Sequence, residues 1–132
     1  MQRLKTRAQF QAVLAGINVA RTQHFALHAV ALESRIEWRT SPDTWIGAMV
    51  PKRWAKRAVT RNAIKRQIYN VTNLAREGLP PVALVVRLRS QFDKTMYISA
   101  QSDALKNAVR LELGTLIAKA QFAALVSLAA PA

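Results

Sequence analysis

The spacing of apolar residues divides the chain into alternating helical and extended segments. Thr6 and Gln9 stand at capping-box spacing, and Phe10, Val13 and Leu14 follow at helical intervals. This predicts a short first helix, stopped by Gly16 in a left-handed conformation. From Phe25 to Leu32 the period changes to two. Phe25, Leu27, Ala29 and Ala31 fall on one side, and His24, Ala26, His28 and Val30 on the other. Both sides are largely apolar, so this strand is expected to be covered on both faces. Trp45 to Val50 reads as a second strand, closed by Pro51, which has no amide to donate. Glu33 to Thr44 reads as a polar loop in which Ile36 and Trp38 could prolong a hairpin.

A longer helix is predicted from Ala58 to about Ala75, ahead of Gly78 and the Pro80-Pro81 pair. At about 100° per residue, Ile64, Ile68, Val71 and Ala75 share one sector. Arg61, Asn62, Lys65, Arg66 and Tyr69 occupy the opposite half. The first sector is a core face and the second a presented face. Val82 to Leu88 is rich in Val and Leu, and its apolar run points to a buried strand, for which a parallel position is plausible. Strand, helix and strand in succession make a βαβ unit. Gln91 to Ile98 reads as a connector to a last helix, starting at Ser99 or Ser102, with Leu105, Val109, Leu113 and Leu116 as its core stripe. Gly114 inside that helix weakens it by about 1 kcal/mol relative to Ala. The Ala-rich end, Ala123 to Ala132, is compatible with a continued helix, a docked segment or a frayed one.

The chain has 132 residues, enough for one domain of two packed layers, and 51% of them are hydrophobic, which argues against a disordered basic tail. One domain over residues 1–132 is expected. Cysteine is absent, which suits a reducing cytoplasm and leaves no thiolate metal site. The charged start, Met1 to Arg7, does not read as a signal peptide, and the apolar stretch from Gln121 is shorter than the roughly 20 residues of a membrane span. A cytoplasmic protein with no membrane partner is expected.

Charge changes the picture most. The chain carries 20 Lys and Arg against 7 Asp and Glu, a formal net charge of +13. Lys52, Arg53, Lys56, Arg57, Arg61, Lys65 and Arg66 crowd the segment Pro51–Arg66, and no acidic residue lies between Asp43 and Glu77. Solvated helices normally interleave both signs, so a field this concentrated points to a polyanion, with nucleic acid first. Guanidinium groups fork onto phosphates, and the amide of Asn62 suits a phosphate, a hydrated metal or a 2′-hydroxyl.

Catalytic chemistry is sparse by contrast. The carboxylates Glu33, Glu37, Asp43, Glu77, Asp93, Asp103 and Glu112 form no close pair beside a histidine. His24 and His28, four residues apart on a strand, are separated by roughly 13 Å, too far to share a metal. The glycines at 16, 47, 78 and 114 are too scattered for a phosphate-binding loop. No catalytic residue and no metal ligand is expected in the chain itself.

Lys52-Arg53, Ala58-Val59, Arg61-Asn62 and Lys65-Arg66 together resemble the signature of the bacterial ribonuclease P protein family. Gln9-Phe10 with Val13-Leu14, Gly16, the Phe25 strand and Ile46-Gly47 leading to Val50-Pro51-Lys52 fit the same family order, so the resemblance covers about residues 3–117 and leaves a tail of about 118–132. Ala63, Tyr69 and Asn70 depart from the family pattern, in which Arg is usual at 63 and common at 69, and Leu14 and His28 stand where aromatic residues are frequent. The resemblance implies the small protein of a ribonucleoprotein whose RNA is the catalyst. That holoenzyme is an endoribonuclease which removes the 5′ leader of precursor tRNA, with Mg²⁺ held mainly by RNA subunit and substrate. No stable protein partner is required.

By the same resemblance, Lys52, Arg53, Lys56, Arg57, Arg61, Asn62, Lys65 and Arg66 face the catalytic RNA, and Phe10, Leu14 and His28 line a cleft for single-stranded leader. For Phe10, base stacking and core packing stay equally open, whereas Phe25 reads as core. The implied fold is an α/β (α+β) sandwich in helix–strands–helix–strand–helix order. Its central sheet would be mainly antiparallel, of about four strands, with a left-handed βαβ crossover. A structural RNA-binding protein of the ribosomal kind would share the charge without needing the Arg61-Asn62 and Lys65-Arg66 spacing, and a DNA-binding regulator would need a helix-turn-helix, for which the Pro51 to Arg57 lead-in offers no turn.

Overall fold

The computed structural model describes residues 1–32, 43–92, 103–120 and 122–129. The elements are β1 (Gln2–Arg3), α1 (Arg7–Leu14), β2 (Ile17–Arg21), β3 (Phe25–Ala31), β4 (Trp45–Met49), α2 (Ala58–Leu74), a 3-10 turn (Arg76–Gly78), β5 (Val82–Leu88), α3 (Asp103–Lys119) and α4 (Phe122–Ala129). The expected hairpin at Ile36 and Trp38 and the helix start at Ser99 or Ser102 lie outside the described residues. Five strands form one sheet in the order β1-β4-β5-β3-β2. β3 is antiparallel to both β2 and β5, while β4 is parallel to both β1 and β5, with α2 as the β4-to-β5 crossover.

The expected α/β class holds, and the sheet differs in detail. It has five described strands instead of about four, and its pairings divide evenly between parallel and antiparallel. β1 is two residues long and cannot show a period. β2 hides its period because its register against β3 shifts between Asn18 and Ala20, so apolar alternation is broken at the irregularity.

Pleating sends alternate residues of each strand to opposite layers, which accounts for two cores. Phe25, Leu27 and Ala29 of β3, Ile46 and Ala48 of β4, and Val82, Leu84, Val86 and Leu88 of β5 pack with Ile64 and Ile68 of α2 and with Leu105, Val109, Leu113 and Leu116 of α3. Fully burying each such side chain stabilises the fold by about 1.5–3 kcal/mol. On the other side a smaller cluster of Leu4, Val13, Trp45, Ala83 and Val85 is roofed by α1, with Phe10, Leu14, Val30 and Met49 at its margin. Three layers therefore replace the two expected from length, because β3, β4 and β5 are apolar on both faces.

The Thr6 capping box forms as predicted: Thr6 Oγ1 accepts from Gln9 N at 3.1 Å and Gln9 Oε1 accepts from Thr6 N at 3.0 Å. Gly16 is needed for a different reason from the one expected. No glycine among the described residues has a positive φ, and a Cβ at Gly16 would lie 2.2 Å from the carbonyl oxygen of Ala29. The constraint is close approach of the α1–β2 corner to β3. Of the three outcomes left open for the tail, docking is the one observed: α4 packs on β3 and β5 with Leu125 fully buried.

Polar ties hold α3 in place. Glu112 accepts from the Thr22 hydroxyl at 2.7 Å and from His24 N at 2.6 Å, and it meets His24 Nδ1 at 2.7 Å. Phe92 stacks on the His24 ring with centroids 3.9 Å apart. Arg110 Nε and Nη2 donate to the buried Gln67 Oε1 at 3.3 and 3.2 Å, joining α3 to α2.

Candidate RNA interface

α2 buries Ala63, Ile64, Gln67, Ile68 and Thr72 and turns its remaining surface outward. The buried stripe is shifted slightly from the predicted Ile64–Ala75 sector, with Val71 and Ala75 only half-buried. Asn62 and Arg66 are exposed and Lys65 half-buried, one turn apart on the presented face. Ala63 lies in the buried stripe, so the presented face begins at Asn62 and resumes at Lys65.

Arg61 behaves differently from its neighbours. Its Nη1 donates to the carbonyls of Ala55 at 3.0 Å and Lys56 at 2.7 Å, lacing the Pro51–Arg57 turn onto the first turn of α2. That turn is also closed by Trp54 N and Ala55 N donating to Pro51 O at 3.1 and 3.2 Å. Lys52, Arg53, Lys56 and Arg57 are all exposed on it. Arg61 thus positions four other cations, with its second terminal nitrogen left over for a ligand.

The eight predicted residues separate into two neighbourhoods. Asn62, Lys65 and Arg66 line a cavity of about 310 Å³ with Arg3, Tyr69 and Asn70 at the β1 edge of the sheet. Arg53 instead stands over the Trp54 ring, 5.1 Å from its centroid, and adds to the positive field at Arg87 of β5. Between described residues the ion pairs are Met1 amino group to Asp43 and His24 to Glu112, each 2.7 Å, and neither uses a Lys or Arg side chain.

The cleft residues Phe10, Leu14 and His28 share the α1 side of the sheet. Phe10 packs over Gly47 of β4, where a Cβ would meet its Cε1 at 2.7 Å and Leu4 Cδ1 at 2.7 Å. The ring is half-buried at the margin of the small core, so one edge is packed and part of it reaches solvent. Leu14, half-buried, borders the same cluster. His28 Nε2 accepts from Arg87 Nε at 3.2 Å, which puts the proton of the neutral ring on Nδ1. Burial first, then Arg87 and Arg21, push the His28 imidazole below its ordinary value of 6.5. His24, predicted on the same side as His28, turns instead to Glu112 on α3, because the chain bends at the start of β3.

Arg87, which was not among the residues named from sequence, stands beside His28. Burial holds its guanidinium below the ordinary arginine value, and Arg89, Arg53 and Arg21 add to that. A lone charge in the apolar Val82–Leu88 run was the available signal, because a cation is placed in a buried strand only at a cost. Arg89, Arg53 and Arg21 around Arg87, which itself donates to His28, make an anion-seeking floor. Among the described residues no three His, Cys, Asp or Glu side chains cluster in a way that could hold a metal, and no helix is long and apolar enough to cross a membrane.

Comparison with known proteins shows the family and the fold. The Ribonuclease P family model matches residues 1–124. The ribonuclease P protein component of Bordetella parapertussis is 33% identical over 111 residues, covering 84% of this chain and 85% of its own. That of Bordetella petrii is 36% identical over 89 residues, covering 67% and 71%. Among solved structures, the ribonuclease P protein of Staphylococcus aureus superposes with a TM-score of 0.67 at 18% identity over 89% of this chain and 94% of that one. The Thermotoga maritima protein gives 0.61 at 19%, covering 88% and 94%. With nearly the whole length matched by one family, the chain belongs to the ribonuclease P protein family.

Proposed function

We propose that this chain, as one RNA-binding domain in the cytoplasm, is the protein subunit of ribonuclease P. It holds the catalytic RNA on the presented face of α2 and the preceding turn, and the 5′ leader of precursor tRNA on the α1 side of the sheet. The observation that carries this reading is that none of its described Lys or Arg side chains is neutralised by a described carboxylate, although +13 charges sit on a small globule. Such a surface gains most from a polyphosphate partner through counterion release.

The division of labour follows from the side chains. Lys52, Arg53, Lys56, Arg57, Lys65 and Arg66 supply exposed or half-exposed cations, Arg61 fixes the turn that presents them, and Asn62 supplies an amide for a phosphate or a 2′-hydroxyl. In the cleft, Arg87 and Arg53 attract the leader backbone, while the exposed part of Phe10 offers a face on which a base gains about 1–3 kcal/mol. Leu14 and His28 border the path. On this reading Mg²⁺ is held mainly by the RNA subunit and the substrate, and no step of bond cleavage is assigned to a protein group. Against a structural RNA-binding protein of the ribosomal kind stands the second group of cations, around Arg87 on the α1 side of the sheet.

The test compares holoenzyme affinity for precursor tRNA and for mature tRNA. The leader should strengthen binding with wild-type protein, and Phe10→Ala should shrink that advantage by about tenfold. An advantage that survives Phe10→Ala together with Arg53→Gln would remove the leader from this cleft. Reversal of Lys56 and Arg57 to Glu should weaken catalytic-RNA binding about as much as Arg61→Glu, and no effect of the pair would take the turn out of the interface.

A further inference from the structure

Arg3 lies outside the basic segment and far from it in sequence, yet the fold brings it there. β1 pairs parallel to β4 through Gln2 and Arg3, opposite Trp45 and Ile46. Past that point the free edge of β4 is taken over by α2: the Tyr69 hydroxyl accepts from Ala48 N at 3.3 Å. Tyr69 therefore ends the strand pairing and offers its ring to the residue that precedes the break. The Arg3 guanidinium sits over that ring, 3.9 Å from its centroid. A cation held on an aromatic face loses little mobility when it then binds an anion.

Arg3, Lys65 and Arg66 surround the 310 Å³ cavity together with the amides of Asn62 and Asn70. Asp43, the carboxylate at the neighbouring turn, is already engaged by the Met1 amino group at 2.7 Å and by Thr44 N at 2.8 Å. No described carboxylate reaches Arg3. Because its guanidinium covers one face of Tyr69, that face cannot stack a base, and the lining of three cations and two amides suits a phosphodiester.

We propose that this cavity seats one backbone phosphate of the RNA partner, with Arg3 as an RNA-binding residue and Tyr69 as the residue that positions it. The proposal rests on the reading of α2 as the RNA face and extends that face across the sheet edge onto β1.

Affinity of the full chain for a bacterial ribonuclease P RNA transcript is measured across a KCl series. Arg3→Gln should weaken binding by about fivefold and lower the log–log salt slope by about one. Tyr69→Leu should weaken binding at low salt by about threefold, whereas Tyr69→Phe, which keeps the ring, should stay near wild type. Lys65→Gln is the control for the underlying reading. A slope changed by Lys65→Gln and not by Arg3→Gln overturns the Arg3 inference alone, and a slope changed by neither overturns the α2 reading with it. The chain lacks cysteine, so Asn70→Cys carries a single tethered iron–EDTA group. Clustered RNA cuts from position 70 are expected, and their absence overturns the proposal whatever Arg3→Gln does to folding.

Discussion

The two faces of the sheet are covered unequally. α2, α3 and α4 roof one face and close it over the Phe25–Leu84–Ile68–Leu113 core, while α1, eight residues long, roofs only part of the other. The polar groups of the two faces follow that difference. On the closed face Glu112 satisfies Thr22 and His24 together, and Gln67 satisfies Arg110. On the open face Arg87 has a histidine as its hydrogen-bond partner and other arginines as its electrostatic neighbours. One face invests its polar residues in holding the protein together, and the other leaves positive charge uncompensated for something outside the chain.

Removing core from each face should give the largest contrast. Ile68→Ala is expected to cost about 2–5 kcal/mol in urea unfolding, since a fully buried side chain leaves a cavity that rigid neighbours fill poorly. Leu14→Ala, at the half-open margin, should cost less than half as much, and equal costs would deny that the faces differ. Gly47→Ala comes next, at about 1–3 kcal/mol, because Phe10 and Leu4 must withdraw from the new methyl group. It should also weaken leader binding, which separates it from Ile68→Ala at matched stability.

Arg87→Met should change stability by no more than about 0.5 kcal/mol, or raise it, because it removes a partly desolvated cation beside like charges. Leader affinity in the holoenzyme should nevertheless fall. A loss of several kcal/mol in stability would make Arg87 a structural residue of the closed-face kind.

The smallest effect is a pH dependence. The His28 pKa is depressed in the folded chain relative to 6.5, so the unfolded chain binds the proton more readily. This group's stabilising contribution is complete above pH 6.5 and is lost as pH falls through the folded value. Thermal unfolding of His28→Gln should show a flatter acid limb than wild type, and an unchanged limb would remove His28 from the titration.

Much of this architecture was legible in the residues because long apolar periods report burial directly. Val82–Leu88 was delimited as the structure has it, α2 to within one residue at its end, and the capping box at Thr6 fixed the start of α1. β1 escaped because two residues carry no period, and β2 because its bulge breaks one. Gly16 was identified as special for a conformational reason when the cause was contact with Ala29, a residue remote in sequence. The site divides the same way. A run of cations on one helix face can be read from spacing, so the shared face of Asn62, Lys65 and Arg66 was legible. Arg21 and Arg89 reach Arg87, and Arg3 reaches the α2 cavity, only through strand order, which local pattern does not encode.

The central claim is that this protein lends positive potential to an RNA that breaks the bond. Single-turnover cleavage of precursor tRNA at low Mg²⁺ tests it most directly, with protein alone, with ribonuclease P RNA alone and with both. The account predicts no cleavage by the protein, slow cleavage by the RNA and a large acceleration by the pair. Cleavage at the mature 5′ end by protein free of RNA, or no acceleration of the RNA by the protein, would contradict it.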